Sequence, residues 1–372
     1  MQKFNDDLLF GPEDQENARL AFPAIFHVLD DDALRTLFKT FDNPANHAKK
    51  RSLRAGILAV ALVVIALFGT SAGHIYEELR LSPRVVVFLA LVSASLGLLG
   101  VLIGLFGLMI GSAKNDWLYN RMAGEMLRQF HFQTFVCRLD EIIASLKDDA
   151  AKNGFLEQQK KWLAHFRLSV PPHLAAKFHA LIKREESDWL HPAPKTPSDA
   201  DLTTLPEEFF EAYRVLRITH QQQYADWKLR RGQMIFTGFS LRSLETLLAG
   251  GSVIATICLL VTEALIIVPL TIVQSMESPS AAAASFSISW AHWIAICFAI
   301  LALGTRTLEE GLQPKREIER YQRYCSLIQD ILDRFEAGTR AVKFEAMIEM
   351  EKLAYEEMRD FLRSFYESRF IM

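Results

Sequence analysis

Four stretches of the chain are almost free of charge, and polar segments with a helical repeat of apolar residues separate them. The apolar stretches cover residues 56–73, 85–113, 247–274 and 286–304. Crossing the hydrocarbon core of a bilayer as a helix takes about 17–25 apolar residues, so each is long enough. The pattern predicts four transmembrane helices grouped as two hairpins, residues 55–113 and 247–305. The expected fold class is all-α: a polytopic membrane protein with long amphipathic helices outside the bilayer.

The polar segments cover residues 1–54, 114–246 and 306–372. In the first, Leu34, Leu37, Phe38 and Phe41 recur at helical spacing behind Asp30, Asp31 and Asp32, which read as a cap at a helix start. In the second, Leu118, Met122, Met126, Phe130, Phe135, Leu139 and Ile143 mark one broad face, and Pro171 and Pro172 end its helical reach. A proline-rich connector at 191–206 reads as a flexible excursion, and a further long helix is expected from Glu207 toward the third span. In the third, Phe344, Met347, Ile348, Leu353, Tyr355, Met358, Phe361, Leu362 and Phe365 form a stripe suited to a core or a coiled-coil seam. No strand-like alternation of useful length occurs.

Charge sets the expected orientation. Lys49, Lys50, Arg51 and Arg54 precede the first span, and Lys114 and Arg121 follow the second. Lys228, Arg230, Arg231 and Arg242 precede the third, and Arg306, Lys315, Arg316 and Arg320 follow the fourth. The loop between the third and fourth spans has no Lys or Arg, and the loop between the first two holds only Arg80 and Arg84. The positive-inside rule then puts all three polar segments, and both termini, in the cytoplasm of a multi-pass protein of the cell (inner) membrane. The first thirty residues lack the apolar run of a cleavable signal peptide.

Composition excludes several classes. The net charge is -3 and the mean hydropathy +0.11, with 50% hydrophobic residues. A nucleic-acid binder would usually show a basic domain, so no nucleic-acid partner is expected. The four cysteines, Cys137, Cys258, Cys297 and Cys325, are scattered singly and form no zinc spacing, and the histidines show no paired ligand geometry. No metal and no cofactor is expected. The sequence GTSAG at 69–73 satisfies the GxSxG pattern of serine hydrolases, but that elbow needs a strand before the serine and a helix after it. Here Ser71 falls at the end of an apolar helix, and the chain does not read as an enzyme.

Two features inside the spans carry chemistry. The second span holds Gly97, Gly100, Gly104, Gly107 and Gly111 at steps of three and four, with Ser93 extending the line. Glycine costs up to about 1 kcal/mol relative to alanine in a helix, and in lipid the offsetting gain is close backbone approach. The first span offers a strip of small residues, Gly56, Ala59, Ala66, Thr70 and Gly73. The two strips fit a zipped hairpin; the alternative is that the glycine face meets its own copy in an oligomer. The third span carries Glu263 sixteen residues in from Leu247. A charged side chain at that depth costs roughly 2.5–3.5 kcal/mol or more. At about 100° per residue, Glu245, Ser252, Thr256, Glu263 and Gln274 fall within about 40° of one another. This stripe reads either as a carboxyl hydrogen-bonded to a neighbouring helix or as the wall of an ion or water path, with Pro269 able to loosen the helix beyond it.

Both halves repeat one plan: basic flank, apolar hairpin, basic flank, long amphipathic helix. WLYNRMAGEMLRQFHFQTF after the first hairpin and RYQRYCSLIQDILDRFEAG after the second occupy equivalent places. The layout resembles the bacterial SMODS- and SLOG-associating two-transmembrane (SLATT) effector domains over roughly residues 45–170 and 225–370, although such domains usually carry one hairpin. The resemblance implies a pore-forming or membrane-disrupting effector in antiviral (antiphage) defence, switched by a cytoplasmic sensor partner. The expected function is an oligomeric membrane effector or ion-channel-like protein whose partners are the lipid bilayer and its own copies. The alternative is a membrane-anchored scaffold or sensor that binds a partner without conducting.

Overall fold

In a computed structural model of the chain, residues 6–106, 113–170, 173–230, 241–268 and 282–367 are described. Helices account for nearly all of them, and no strand occurs among them. Four helices are long and apolar enough to cross a membrane. The chain divides into two compact units.

The helical unit comprises Met1–Ala48, Asn115–Gly232 and Glu319–Glu367, so the three polar segments contribute to one body. After a 3₁₀ turn at Asp6–Leu8 come α1 (Pro12–Ala21), α2 (Phe26–Leu29) and the start of α3 (Asp32–Ser71). Asp31 caps α3 by accepting from Leu34 N at 2.9 Å, and Asp30 pairs with the buried Arg35 at 2.7 Å. The aspartates therefore act as a helix start rather than a cation site. The broad apolar face of the second polar segment breaks in two: α6 (Ala113–Cys137) and α7 (Leu139–Lys147) meet at Arg138. Further along are α8 (Asp149–Ser169), α9 (Leu174–Ile182), α10 (Asp199–Thr204), α11 (Glu207–Tyr213), a π-helical turn at Arg214–Thr219 and α12 (His220–Arg230). The helix expected from Glu207 is thus interrupted by one wide turn.

The connector at 191–206 is anchored at its start, where His191 packs on α6, and the residues just before it bond to the same helix. Gln133 of α6 donates to Asp188 O and accepts from Leu190 N, at 2.9 and 2.8 Å. His191 stacks on Phe130 with ring centres 4.5 Å apart, and Ser198 caps the short α10. Periodicity misses this because the anchors come from α6, more than fifty residues away. The core is aromatic: Phe130, Phe132, Phe135, Phe209, Phe210, Tyr213, Phe335 and Tyr355 are all fully buried.

The apolar unit comprises Lys49–Lys114, Gln233–Ile318 and Ser368–Met372. It takes in the second part of α3, then α4 (Gly73–Glu78), α5 (Pro83–Gly104), α13 (Leu241–Thr262) continued by a π-helical turn at Glu263–Ile267, and α14 (Ala282–Leu312). The 22 residues of α5 extend about 33 Å at 1.5 Å per residue, the thickness of a bilayer core. α13 packs along α14, with Leu244, Leu248 and Leu312 forming one buried cluster and Ile267, Ala291 and Ala295 another. Pro314 starts α15 (Pro314–Ala337) after Gln313 in a left-handed conformation (φ 49°). Gly338 then breaks the chain before α16 (Arg340–Glu367). A Cβ on Gly338 would lie 2.7 Å from Arg334 O, so only glycine fits this corner.

Candidate functional site

In the apolar unit, the glycines of α5 lie against α3. A Cβ on Gly97 would lie 3.2 Å from Ala66 Cβ, and one on Gly100 would lie 2.9 Å from Val63 Cγ2 and 3.0 Å from Ala59 O. Gly104, Gly56, Ala59 and Ala66 are buried. Gly107 and Gly111 lie outside the described residues. The strip on α3 runs differently from its sequence outline. Thr70 is exposed and donates to Ala66 O, and a Cβ on Gly73 would meet nothing within 4 Å. Its place is taken by Gly69, where a Cβ would fall 2.1 Å from the Oγ of the buried Ser93. Gly304 of α14 also packs on α3, against Val64.

The polar stripe of α13 points elsewhere. The buried side of this helix is Leu244, Leu248, Ala255, Thr262 and Ile267. Glu245 and Ser252 are half-buried, while Thr256 and Glu263 are exposed. Thr256 Oγ1 satisfies itself on Ser252 O at 2.8 Å, so it does not compete for the carboxylate. Glu263 opens the π-helical turn. A π turn inserts one extra residue and shifts the register of the side chains after it, and such turns recur at functional positions. Gln274 and Pro269 lie outside the described residues.

The helical unit contains chemistry that side-chain period alone does not locate. Arg217, in the π turn of 214–219, makes two bonds of 2.8 Å to the carboxylate of Glu351 on α16. Tyr213 Oη donates to the same Glu351 Oε1 at 2.6 Å, and the Arg217 guanidinium lies over the Phe132 ring. Beside this triad, Arg128 holds Glu125 at 2.8 Å and approaches the fully buried Asp7 to 2.9 Å. Arg121 holds Glu125 at 2.5 Å. Burial alone would raise the Glu125 carboxyl, but Arg121 and Arg128 outweigh it and hold it below the usual carboxylate range. Burial likewise pushes Tyr324 upward.

These groups surround a cavity of about 240 Å³. Its walls come from α3 (Asp42, Asn46), α6 (Arg121, Glu125, Arg128, Gln129), the π turn (Arg217), α12 (His220, Gln221, Tyr224), α15 (Arg320, Tyr321, Tyr324) and α16 (Glu357, Met358, Phe361). Tyr224 shows the local field: burial raises its hydroxyl, yet Lys228 and Arg121 bring it below its ordinary value. A trace of this site was present in the sequence. Glu351 occupies a position four residues from both Met347 and Tyr355, within the apolar stripe of α16, where a solvated glutamate would be out of place.

Among the described residues no group of three or more His, Cys, Asp or Glu is placed to hold a metal ion. The four cysteines are half-buried and free, and Ser71 sits at the end of α3 with its hydroxyl on Phe68 O. Ser71 is preceded by helix rather than by strand, so the hydrolase elbow is absent there. Comparison of the chain with protein-family models, curated proteins and solved structures finds no match.

Proposed function

We propose that the two apolar hairpins insert into a membrane, that the helical unit stays on the cytoplasmic side, and that several copies assemble so that α13 lines a polar path. The observation that carries this reading is the exposed Glu263, opening a π turn on the side of α13 turned away from its buried seam. In a lone chain within lipid that carboxylate would meet hydrocarbon at a cost of roughly 2.5–3.5 kcal/mol or more. Copies gathered about an axis would give it water, with Thr256, Ser252 and Glu245 continuing the wetted surface. A ring of carboxylates favours cations over anions. The orientation is supported by the Trp290–Trp293 pair near the start of α14 and Arg306 toward its end, the order expected of an aromatic interface belt outside and positive charge inside. On the layout resemblance, the setting is a membrane-disrupting effector of bacterial antiphage defence, switched by a sensor partner.

The test is ion flux from liposomes holding purified protein. Glu263→Gln keeps size and hydrogen bonding, so oligomer mass in detergent should be unchanged while cation flux falls; Glu263→Leu should seal the path. Flux from Glu263→Gln equal to the parent removes the path-wall assignment. No flux from any variant favours the second reading, a membrane-anchored scaffold or sensor, which the large separate core of the helical unit supports.

A further inference from the structure

Cations of the apolar unit gather at one end of it. Leu53 of α3 packs on the buried cluster of Leu244, Leu248 and Leu312, which brings α3, α13 and α14 together there. Lys50 and Arg51 stand three and two residues before Leu53, Arg242 two before Leu244, and Lys315 and Arg316 three and four after Leu312. All five are exposed, and none makes an ion pair or hydrogen bond among the described residues. Arg306, further back on α14, behaves differently: Glu309 and Glu310 hold it at 3.1 and 3.2 Å. The acids nearest the five cations in sequence, Glu245 and Glu317, are half-buried and buried, and the exposed cations outnumber them.

Depth separates this rim from an ordinary charged surface. Trp290 and Trp293 pack edge to face near the start of α14. From Trp293 to Leu312 the helix advances about 28 Å at 1.5 Å per residue, close to the roughly 30 Å of a hydrocarbon core. With the tryptophans at one interface, the cations fall at the phosphate layer of the other. Just inward of them, Leu58 and Leu247 are each 49% exposed, so the rim joins charge to bare apolar surface. An inorganic anion would use only the charge; an amphiphile uses both.

We propose that this rim binds anionic phospholipid, with the phosphate among Lys50, Arg51, Arg242, Lys315 and Arg316 and the acyl chains along Leu58 and Leu247. The proposal rests on the membrane insertion proposed above, to which it adds a class of lipid and its place on the protein. A head group of net negative charge, such as phosphatidylglycerol, gains from each cation, by about fivefold in affinity per Lys or Arg at an anionic surface. The choline of phosphatidylcholine offsets its own phosphate and forgoes that gain. Because the cations come from three separate helices, bound lipid ties the ends of α3, α13 and α15 together and stabilises their packing.

The experiment is thermal melting of the full-length protein, stripped of lipid in neutral detergent and titrated with three probes. These are phosphatidylglycerol, phosphatidylcholine of the same chains, and glycerol phosphate. Phosphatidylglycerol should raise the melting temperature saturably, with the other two at least tenfold weaker. Lys50→Gln with Arg51→Gln, and Lys315→Gln with Arg316→Gln, should melt as the parent does without lipid, and each pair should need at least tenfold more phosphatidylglycerol. Arg84→Gln, exposed at the start of α5 and at the far end of the hairpin, should titrate as the parent does. Flotation with phosphatidylcholine vesicles tests insertion separately, and a protein that does not float removes both readings. If it floats, three results overturn this proposal alone: no saturable shift, a response to phosphatidylcholine or glycerol phosphate equal to that of phosphatidylglycerol, or a full phosphatidylglycerol response in both double variants.

Discussion

Glu351→Gln removes one charge from the most deeply buried pair of the helical unit. Arg217 and Glu351 are 1% and 0% exposed, so water cannot take over from the lost carboxylate. Glutamine keeps one oxygen for one of the two 2.8 Å bonds to Arg217, but turns an N–H toward the other guanidinium nitrogen. With the amide oxygen in the place of Oε1, Arg217 Nε and Tyr213 Oη keep their acceptor, and the bond from Arg217 Nη2 to Oε2 is the one lost. One charged hydrogen bond is worth about 1.5–3 kcal/mol, and an uncompensated buried charge costs about 3–5 kcal/mol. The expected loss is about 4 kcal/mol on these terms, or a melting shift of about 10 °C at roughly 2–4 °C per kcal/mol for a body of this size. Replacing both partners, Arg217→Met with Glu351→Met, removes the charge problem along with the bonds, and should cost far less than the sum of the single changes. Four of the six tryptophans, Trp117, Trp162, Trp189 and Trp227, lie in the helical unit. Urea unfolding in detergent, followed by fluorescence on a Trp290→Phe, Trp293→Phe background, therefore reads that unit alone. A loss under about 1 kcal/mol, or a double variant as unstable as the sum of the singles, would mean that no stranded charge is at work.

Gly100→Leu should lower thermal stability or expression sharply, because its Cβ would fall 3.0 Å from the Ala59 carbonyl oxygen, whereas Leu98→Val on the exposed side of α5 should be nearly silent; equal tolerance of both would mean that α3 and α5 do not pack closely. Burial holds His131 neutral, down to about 4 from its free value, so the unfolded chain binds a proton that the folded one refuses between about pH 6.5 and pH 4. Stability is then full above about pH 6.5 and falls as pH drops toward about 4, by up to about 3 kcal/mol from this group; melting temperature against pH should show a shallower acid limb in His131→Phe, and identical limbs would dismiss the effect. In a cysteine-free background, Leu81→Cys should react with an impermeant thiol reagent from outside intact cells, and labelling only after lysis would reverse the proposed orientation.

Much of this architecture is legible residue by residue. The four long apolar helices, the Asp31 cap and the small-residue line of α5 are local properties: helix length, side-chain period and the absence of a Cβ can be read from consecutive positions. What a face packs against cannot be read that way. Gly69 and Ser93 meet although the spacing of small residues on the first span runs through Thr70 and Gly73, because helix crossing, not spacing alone, selects which small residues touch. His191 reads as part of a loose connector, since nothing nearby in sequence announces the Phe130 ring that holds it.

The number of apolar helices, the smoothness of their faces and the carboxylate that interrupts the third all follow from the solvent preferences of single side chains, and the amino-acid order is enough to establish them. Three further facts exist only in the folded chain: Glu263 lies on the open side of α13, Arg217 finds Glu351 across 134 positions, and Asp42, Gln129, Arg320 and Glu357 surround one cavity. A charged residue on a helix is solvated by default, and its burial becomes tolerable only when folding delivers its counter-charge. That encounter is set by the packing of distant helices; the apolar neighbours of Glu351 mark it as out of place, but nothing beside it in the chain says which cation meets it.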